Sequence, residues 1–351
     1  MKNIGRKTKY NKIATEEKLE KVNPKNLALL DEWEIYLKTT GKSPKTIYNY
    51  KSDIQIFFVW LMENKDNKFF VDVKAKDIMF FQNYCLEKWG WGPCRMRREK
   101  DCLSSLANYI ERMCEDEYPN FRNIIRKVDS PGKVVVREKT QLEDEEVNIV
   151  FDELVENKDY QLACLFALAL YSGSRRAELV EFERDFFDKE NVVFGSLYKT
   201  PKKIKTKGQN GGKYIFKYTL KKPFDRYIYL WKRERRRLGI DEQQYLFVTK
   251  DDSGNYKKMA ESALTYYADK ITKILNRHGV EKVFYWHCCR HYFTTHLASS
   301  GLPYEVIKDI VGWQDISLCQ IYDDRDREDE LGKYFNENGI VAPNQKTINE
   351  L

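Results

Sequence analysis

The sequence has 351 residues, which is enough for two domains of ordinary size. Hydrophobic residues make up 42% of it and charged residues 33%, and no segment approaches the run of about 18 apolar residues that a membrane-spanning helix needs, which excludes an integral membrane protein. The net charge of +7 suits a partner that is rich in phosphate groups.

The N-terminal segment, residues 1–23, is polar and rich in lysine, and we expect it to be mobile. Residues 1–12 lack the apolar core of a signal peptide, and the eight cysteines include no C-x-x-C pair. Both features favour a cytoplasmic protein over a secreted protein stabilised by disulfides. Four cysteines lie among apolar residues and are expected to be buried thiols: Cys85, Cys102, Cys114 and Cys164.

Residues 24–128 predict a small all-helical domain, because apolar residues recur there at helical spacing in four segments. The two segments nearest the N-terminus start at Asn23-Pro24 and at Ser43-Pro44, where a capping side chain precedes a proline. Two more helical segments lie near residues 75–88 and 95–113.

The helical periodicity is lost over residues 129–140, which contain Ser130-Pro131-Gly132 and predict a linker. Residues 141–336 predict a mixed α/β domain, and residues 337–351 a C-terminal tail. The elements predicted in the second domain are two helices, two strands and further helices, near residues 142–154, 160–171, 191–197, 214–220, 222–238 and from 262 onward. The predicted fold is therefore mainly α with a small β-sheet.

The first candidate site lies where the apolar segment ends at Ser172-Gly173. A new helix begins with Ser174-Arg175-Arg176-Ala177-Glu178, so that Arg175 is held at a domain surface and Glu178 lies within its reach one turn later. Taken alone, this segment is better explained as a pair of solvated surface arginines.

The second candidate site is the H-C-C-R-H segment at residues 287–291. On a helix, His287, Arg290 and His291 share one face with Thr294. A metal site is the alternative interpretation, because histidine and cysteine crowd together here. The spacing lacks two separated ligand pairs, however, and the adjacent cysteines point in different directions on a helix, so the pattern favours a site without metal.

The third candidate site is Gly312-Trp313 together with Tyr322, nine residues after the tryptophan. Asp315 can cap the short helix that carries Tyr322. Because the chain contains 23 tyrosines, a packing role is the default interpretation of Tyr322 when it is considered alone.

The order and spacing of these three segments resemble the tyrosine recombinase family, the lambda integrase and Xer group. The T-G-x-R-x-x-E-like segment of that family corresponds to Ser172–Glu178, and its H-x-x-R-H segment to His287–His291. Its G-H or G-W pair, followed by a tyrosine, corresponds to Gly312-Trp313 and Tyr322. The resemblance covers residues 142–335.

The family also has a lysine in a β-hairpin between its two arginines. In this sequence Thr206-Lys207-Gly208 fits that place, with Lys205 as the alternative. The hairpin loop is longer and richer in lysine than in the Xer group. Trp313 stands where the commoner histidine would be, a variant that the family contains.

The resemblance implies an all-helical core-binding domain and a mixed α/β catalytic domain that together clamp DNA. It implies a site-specific recombinase or integrase that cuts and rejoins DNA with no metal, cofactor or ATP. Arg175 and Arg290 would hold the non-bridging phosphate oxygens through bidentate bonds. Tyr322 would attack phosphorus and form a 3′-phosphotyrosine bond.

The same resemblance implies roles for the remaining site residues. Lys207 would be the general acid for the leaving 5′-oxygen, and His287 would assist proton transfer or position the phosphate. Trp313 would donate its indole N–H to the phosphate, while Glu178 and His291 would support the site.

Two basic patches of the helical domain are candidate DNA contacts, for which a solvated helix face is the alternative explanation. They are represented by Lys42, Lys45, Tyr50, Arg95, Arg97 and Arg98. A clamp around a duplex would use both domains, which favours DNA contact. The expected partners are double-stranded DNA target sites and further copies of the chain in a tetramer on two duplexes, with an accessory DNA-bending protein as an optional partner.

Integration of a phage or another mobile element is the preferred setting. Two alternatives stay open at the level of the sequence. One is a type IB topoisomerase or a telomere resolvase, which would use the same chemistry in another role. The other is a DNA-binding regulator that has no catalytic activity.

Overall fold

The computed structural model of the chain describes residues 12–132, 140–206, 213–326, 335–336 and 339–340. The chain forms two compact units, one made by the described residues up to 132 and the other by those from 140 onward. No helix in these ranges is long and apolar enough to cross a membrane. The first unit is helical and the second mixes helices with small sheets, which confirms the predicted fold class.

The helices of the first unit are joined by short connections, one of which contains a 3-10 turn, and a second 3-10 turn follows the last helix. They are α1 (Glu16–Leu19), α2 (Pro24–Thr39), α3 (Pro44–Asn64), α4 (Ala75–Glu87) and α5 (Pro93–Met113), with 3-10 turns at Phe70–Asp72 and Ile124–Lys127.

The helix starts in this unit follow from their capping residues. Asn23 Oδ1 accepts a hydrogen bond from the backbone N–H of Lys25 at 3.0 Å, and Ser43 Oγ accepts one from Thr46 at 3.2 Å. Each cap satisfies an N–H group that the helix itself leaves unpaired, and a proline without an N–H follows it. Both predicted helix starts are thereby confirmed.

The core of the first unit is rich in aromatic side chains. Trp60 stacks on Phe57 with ring centroids 5.9 Å apart, and Phe81 meets Phe57 edge-on at 4.8 Å. All three rings are buried, and aromatic rings of this size contribute most of the apolar area that a small core removes from water.

Residues 12–22 of the segment predicted as a mobile lead-in are ordered, and residues 1–11 lie outside the described residues. Thr15 caps α1, and Ala14 and Val22 on either side of the helix are buried in the core. The prediction missed this because the segment has few apolar residues, and two small ones are enough to hold so short a helix in place.

The helices of the second unit carry most of the candidate site. They are α6 (Asp144–Glu156), α7 (Tyr160–Ser172), α8 (Arg176–Leu179), α9 (Lys221–Arg237), α10 (Ala263–Arg277), α11 (Trp286–Ser299), α12 (Tyr304–Val311) and α13 (Ser317–Tyr322), with 3-10 turns at Arg184–Phe187 and Lys189–Asn191.

Helix α7 lies at the centre of this unit. Every residue from Leu162 to Leu170 is buried, because α6, α9 and α11 pack around the helix. A helix that is apolar on all faces needs such enclosure. The helix therefore fixes the point at which the chain emerges toward Arg175.

The strands of the second unit are short and pair antiparallel. They are β1 (Val192–Val193), β2 (Leu197–Lys199), β3 (Ile204–Thr206), β4 (Lys213–Ile215), β5 (Tyr218–Leu220), β6 (Val248–Lys250), β7 (Tyr256–Lys258), β8 (Phe335–Asn336) and β9 (Gly339–Ile340). Strands β1, β2 and β5 form a three-stranded sheet in that order, and the others pair as β3–β4, β6–β7 and β8–β9.

The single strand predicted over residues 191–197 is a hairpin instead. The chain reverses at Phe194 and Gly195, which have φ angles of 53° and 71°, and Val193 pairs with Leu197. Positive φ values at both turn residues are typical of the tight turns that join antiparallel strands. The alternating apolar pattern of the segment concealed this turn, and the β6–β7 hairpin was not predicted at all.

The C-terminal helices form a small core of their own. Phe293 and Leu297 of α11 pack with Ile307 and Val311 of α12 and with Cys319 of α13.

The predicted domain boundary at residue 336 falls inside the β8–β9 pair.

Candidate active site

The first candidate arginine is positioned by a forced turn at the end of α7. Gly173 has a φ of 55°, and a Cβ atom there would lie 2.5 Å from Cδ1 of the buried Phe293. Only glycine fits this turn. Arg175 follows as the N-cap of α8, with its side chain 29% exposed.

The guanidinium of Arg175 is held by two oxygen atoms. Its Nη1 donates to Glu178 Oε1 at 2.9 Å and to Thr206 Oγ1 at 3.0 Å. The backbone N–H of Arg175 donates to Glu178 Oε2 at 2.8 Å. The predicted pairing of Arg175 with Glu178 is therefore present, and a third side chain from β3 joins it.

Glu178 is fully buried, and its carboxylate accepts the hydrogen bonds from Arg175 and Thr206. Burial raises the pKa of its carboxyl, but the charge of Lys217, the hydrogen bonds from Thr206 and the Arg175 backbone, and the charge of Arg175 outweigh burial and lower the pKa to about 2. The carboxylate therefore stays ionised at any pH at which the protein would be assayed.

The second candidate arginine comes from α11 and is also fully buried. Arg290 Nη1 donates to the carbonyl oxygen of Gly173 at 2.6 Å, which ties α11 to the turn before Arg175. Its Nε and Nη2 atoms are buried and have no hydrogen-bond acceptor among the described residues. Burial and the charge of Arg175 lower the pKa of Arg290 to about 10, so the group stays charged at neutral pH.

The candidate nucleophile touches the candidate histidine. Tyr322 Oη lies 2.8 Å from His287 Nε2. Burial, followed by the charges of His291, Arg290 and Arg175, lowers the pKa of His287 to about 4. At neutral pH the imidazole is therefore uncharged and can accept the phenolic proton.

Trp313 completes this side of the site. Its ring lies 4.8 Å from the ring of Tyr322, and the guanidinium carbon of Arg290 lies 4.8 Å above its centroid. Its Nε1 is buried and has no acceptor in the part of the chain that the structure describes. Gly312, with a φ of 78°, lets the chain turn here, and a Cβ atom at this residue would lie 2.5 Å from Cδ1 of Ile215.

The end of α13 is fixed to α11 through its backbone. Thr295 Oγ1 donates to the carbonyl oxygen of Tyr322 at 3.3 Å and accepts from the backbone N–H of Asp324 at 3.0 Å. His291 Nδ1 lies 2.9 Å from Asp324 Oδ2, and the His291 ring packs 4.6 Å from the Tyr322 ring. These contacts hold the phenol beside His287.

The assembled site suits a tetrahedral anion. Three buried nitrogen donors, Nε and Nη2 of Arg290 and Nε1 of Trp313, have no acceptor in the described ranges, and Arg175 adds a second guanidinium nearby. Buried donors of this kind are costly unless a bound group satisfies them. The described residues contain no cluster of three or more His, Cys, Asp or Glu side chains that could hold a metal ion.

Two site residues were not predicted from the sequence, Thr206 as a ligand of Arg175 and Lys217 as a partner of Glu178. Thr206 lies on the inward face of β3 and is buried like Ile204 two residues earlier, and Lys217, between β4 and β5, is buried like Ile215 two residues earlier. The alternation of side chains along an extended chain could have placed both. Lys207 and Gly208, predicted to lie at the hairpin, are outside the described residues, while Lys205 is exposed.

The basic residues predicted to contact DNA fall into two groups. Lys42 and Lys45 are exposed at the start of α3. Tyr50 is half-buried and stacks on Trp33 with centroids 5.8 Å apart. The first two side chains are therefore available to a partner, and the tyrosine contributes to the core.

The arginines of α5 are engaged within the first unit. Arg95 lies 2.8 Å from both Asp53 Oδ1 and Glu99 Oε2, and Arg98 lies 3.0 Å from Asp53 Oδ2. Arg97 Nε donates to the carbonyl oxygen of Pro131 at 2.7 Å. Asp53, the partner that Arg95 and Arg98 share, is 42 and 45 residues away from them along the chain, so sequence spacing did not indicate it.

Comparison with known proteins gave matches along most of the chain. The sequence model of the phage integrase family matches residues 140–329. The SPbeta prophage-derived recombinase-like protein YomM of Bacillus subtilis (strain 168) is 29% identical over 327 residues, which cover 92% of this chain and 94% of that protein. Tyrosine recombinase XerD of Haemophilus ducreyi is 24% identical over 294 residues, covering 80% of this chain and 86% of that protein.

Solved structures share the fold at low sequence identity. A lambda integrase dimer bound to a COC′ core site has a TM-score of 0.59 at 14% identity and covers 85% of this chain and 76% of that one. The XerH site-specific recombinase in a post-cleavage complex with a palindromic difH substrate has a TM-score of 0.57 at 16% identity, covering 81% of this chain and 77% of that one.

The turn at Gly173 leads to a stability prediction. Gly173→Ala should destabilise the second unit by about 2–5 kcal/mol, because a left-handed alanine costs about 1–2 kcal/mol and the collision with Phe293 adds about 1–3 kcal/mol. Urea unfolding of the full chain measures the loss. Gly195→Ala is the matched control, since its φ is 71° but nothing lies within 4 Å of the added Cβ. Equal losses in the two variants would show that the collision is absent.

Proposed function

We propose, from the premise that this chain belongs to the phage integrase family, that it is a site-specific tyrosine recombinase that cleaves and rejoins DNA through Tyr322, without metal or ATP. The observation that carries the proposal is the contact between Tyr322 Oη and His287 Nε2, beside N–H groups of Arg290 and Trp313 that have no acceptor among the residues the structure describes. A nucleophile, a base and an anion-binding group are thereby within one small volume.

The arginines bind the scissile phosphate. Arg290 uses Nε and Nη2, the two atoms that its bond to Gly173 leaves available, and two parallel N–H donors match two phosphate oxygens. Arg175 and the indole N–H of Trp313 bind the remaining non-bridging oxygens. Negative charge that develops in the transition state meets donors already in position, which is the usual way such sites lower a barrier.

Strand cleavage is a transesterification, in which one phosphorus–oxygen bond forms and another breaks. The Tyr322 oxygen attacks phosphorus while its proton moves to His287 Nε2. The bond from phosphorus to the 5′-oxygen breaks, and that oxygen takes a proton from a lysine. The products are a 3′-phosphotyrosine and a free 5′-hydroxyl. The reverse sequence joins an incoming 5′-hydroxyl to the same phosphate.

The proton for the leaving oxygen comes from the hairpin that follows β3. Lys207 is the proposed donor and Lys205 is the alternative. Thr206, between them, bonds both Arg175 and Glu178, so a neighbouring lysine can approach the phosphate that Arg175 binds. Glu178 supports Arg175, and His291 supports Tyr322 by packing against its ring.

Double-stranded DNA target sites are the proposed substrate, with Lys42 and Lys45 as contacts outside the site. Arg95, Arg97 and Arg98 contact the DNA backbone only with the donors that their internal partners leave available, and Tyr50 offers its exposed edge. The similar proteins of known structure include a lambda integrase tetramer bound to a Holliday junction and the Tn1549 transposon integrase in complex with transposon right end DNA. We therefore propose that four copies act on two duplexes, in the mobilisation of a phage or mobile element.

Tyr322→Phe should abolish a covalent protein–DNA adduct and leave DNA affinity within about twofold, since the lost hydroxyl is the nucleophile. The wild-type protein is first incubated with sheared DNA of the source cell, and fragments that stay bound after boiling in detergent are sequenced. A nicked duplex of the recovered sequence then traps the adduct on the 3′ side of the cut.

Tyr304→Phe is the control for this experiment, because Tyr304 donates its hydroxyl proton to Asp323 in the same helical group. It should form the adduct at the wild-type rate. An adduct with the Tyr322 variant would disprove the assignment of the nucleophile. All reactions contain excess EDTA, and a requirement for added magnesium would disprove a reaction without metal.

The low pKa of His287 predicts where cleavage should fail on the acidic side. Acidification through about pH 4 protonates Nε2 and removes the proton acceptor, so kcat/KM should stay constant from pH 8 down to about pH 5. His287→Gln should slow adduct formation about 10²–10⁴-fold. His296→Gln, on the same helix, is the control and should change little. A wild-type decline centred near pH 6.5 would mean that this imidazole titrates normally.

A substrate in which sulfur replaces the 5′-bridging oxygen shows whether Lys207 or Lys205 donates the proton. A thiolate leaves without a proton, so the variant that lacks the true acid should cut the ordinary duplex slowly and the sulfur duplex at nearly the wild-type rate. We expect this pattern for Lys207→Ala. The pattern in Lys205→Ala instead would move the role to Lys205, and its absence from both would assign the proton donor elsewhere.

A further inference from the structure

Lys217 is a lysine without solvent exposure in the middle of the candidate site. It lies between β4 and β5, and its side chain is 0% exposed. Its backbone N–H donates to Thr200 Oγ1 at 3.1 Å, and its carbonyl oxygen accepts from the Thr200 N–H at 3.0 Å. The backbone is therefore fixed to the end of β2, and the side chain is directed inward.

The ammonium group of Lys217 contacts two different elements. Its Nζ lies 3.4 Å from Glu178 Oε2 in α8 and donates to the carbonyl oxygen of Val311 at 3.2 Å. Val311 is the last residue of α12 and directly precedes Gly312 and Trp313. A buried ammonium is very costly without such partners, so this arrangement is built to keep it there.

We propose that Lys217 is a positioning residue that holds Arg175, through Glu178, and Trp313, through Val311, in register on two sides of the bound phosphate. This inference rests on the function proposed above. Lys217 does not bind the phosphate itself, because both of its contacts are internal and its Nζ is enclosed.

The charges around the pair favour this role. Burial lowers the pKa of Lys217, Glu178 opposes that effect, and Arg290 and Arg175 lower the pKa further, to about 8. Glu178 in turn faces Lys217, Arg175 and Arg290, each from a different element. One carboxylate therefore holds three cations close to one another, and removing any cation changes the proton affinity of that carboxylate.

Removal of the Lys217 ammonium group should change how the cleavage rate depends on pH, which a packing defect would not do. In Lys217→Met the carboxylate loses the largest of the interactions that lower its pKa, so the pKa of Glu178 rises. Glu178 then takes up a proton as the pH falls, and Arg175 loses its charged partner. The decline of cleavage on the acidic side should therefore move to higher pH than in the wild type.

The test measures single-turnover adduct formation on the nicked duplex from pH 3.5 to 9, with urea unfolding at each pH to give the folded fraction. Lys217→Met should cleave about 10- to 100-fold more slowly near pH 6, the size of effect that follows misplacement of site residues, with DNA affinity within about twofold. In the double variant that combines Lys217→Met with Glu178→Gln, the acidic decline in cleavage rate should return to its wild-type pH, because the Glu178 carboxylate is no longer present to be protonated.

Lys258→Met is the matched control, since Lys258 forms a surface pair with Glu181 in the same unit. It should leave the rate and the pH profile unchanged. Should Lys217→Met fail to fold, the double variant is compared with Glu178→Gln alone. The double variant should be about tenfold slower, because it also lacks the bond to the Val311 carbonyl.

Several results would overturn the inference. One is a folded Lys217→Met variant that cleaves at the wild-type rate across the pH range. Another is a loss that follows the folded fraction at every pH, and a third is equal rates for Glu178→Gln and the double variant. These outcomes leave the Tyr322-dependent adduct of the wild type intact, whereas failure of the proposed function would remove that adduct itself.

Discussion

A single buried carboxylate, that of Glu178, organises the site. It accepts hydrogen bonds from Arg175 and Thr206 and pairs with Lys217, so that α8, β3 and the segment before β5 all meet at it. An ionised group without solvent must be satisfied by its neighbours, and here each neighbour also belongs to the site that we propose binds the phosphate. The stability of the second unit and the placement of its first arginine therefore depend on the same contacts.

The site carries more positive charge than it can neutralise. Arg175, Arg290 and Lys217 surround one carboxylate, and the pKa values of Arg290, His287 and Lys217 are all lowered, first by burial and then by neighbouring charges. The cations in such a group repel one another, and a bound anion reduces this repulsion. The phosphodiester of the proposed substrate would satisfy both this excess charge and the donors that have no acceptor among the described residues, whereas a neutral ligand would satisfy only the donors.

Features that depend on local sequence patterns were predicted correctly. Helix starts at Pro24 and Pro44 followed from capping chemistry, and three separated motifs singled out side chains that the structure brings into one site, although their roles stay proposals. Contacts between distant segments were not predictable in this way. Asp53, which pairs with both Arg95 and Arg98, lies more than 40 residues away from them. Lys217 was not singled out, because its burial between β4 and β5 depends on how those strands pack in the folded unit.

The close contact between Gly312 and Ile215 has an evolutionary consequence. The turn before Trp313 has no room for a Cβ atom as long as the isoleucine side chain fills the space opposite. The two positions are 97 residues apart and belong to different elements, a strand and the end of a helix, yet a side chain added at the turn would displace the isoleucine. In related proteins, a residue other than glycine at the turn should therefore occur only together with a smaller residue on the strand and a backbone that no longer has a positive φ there.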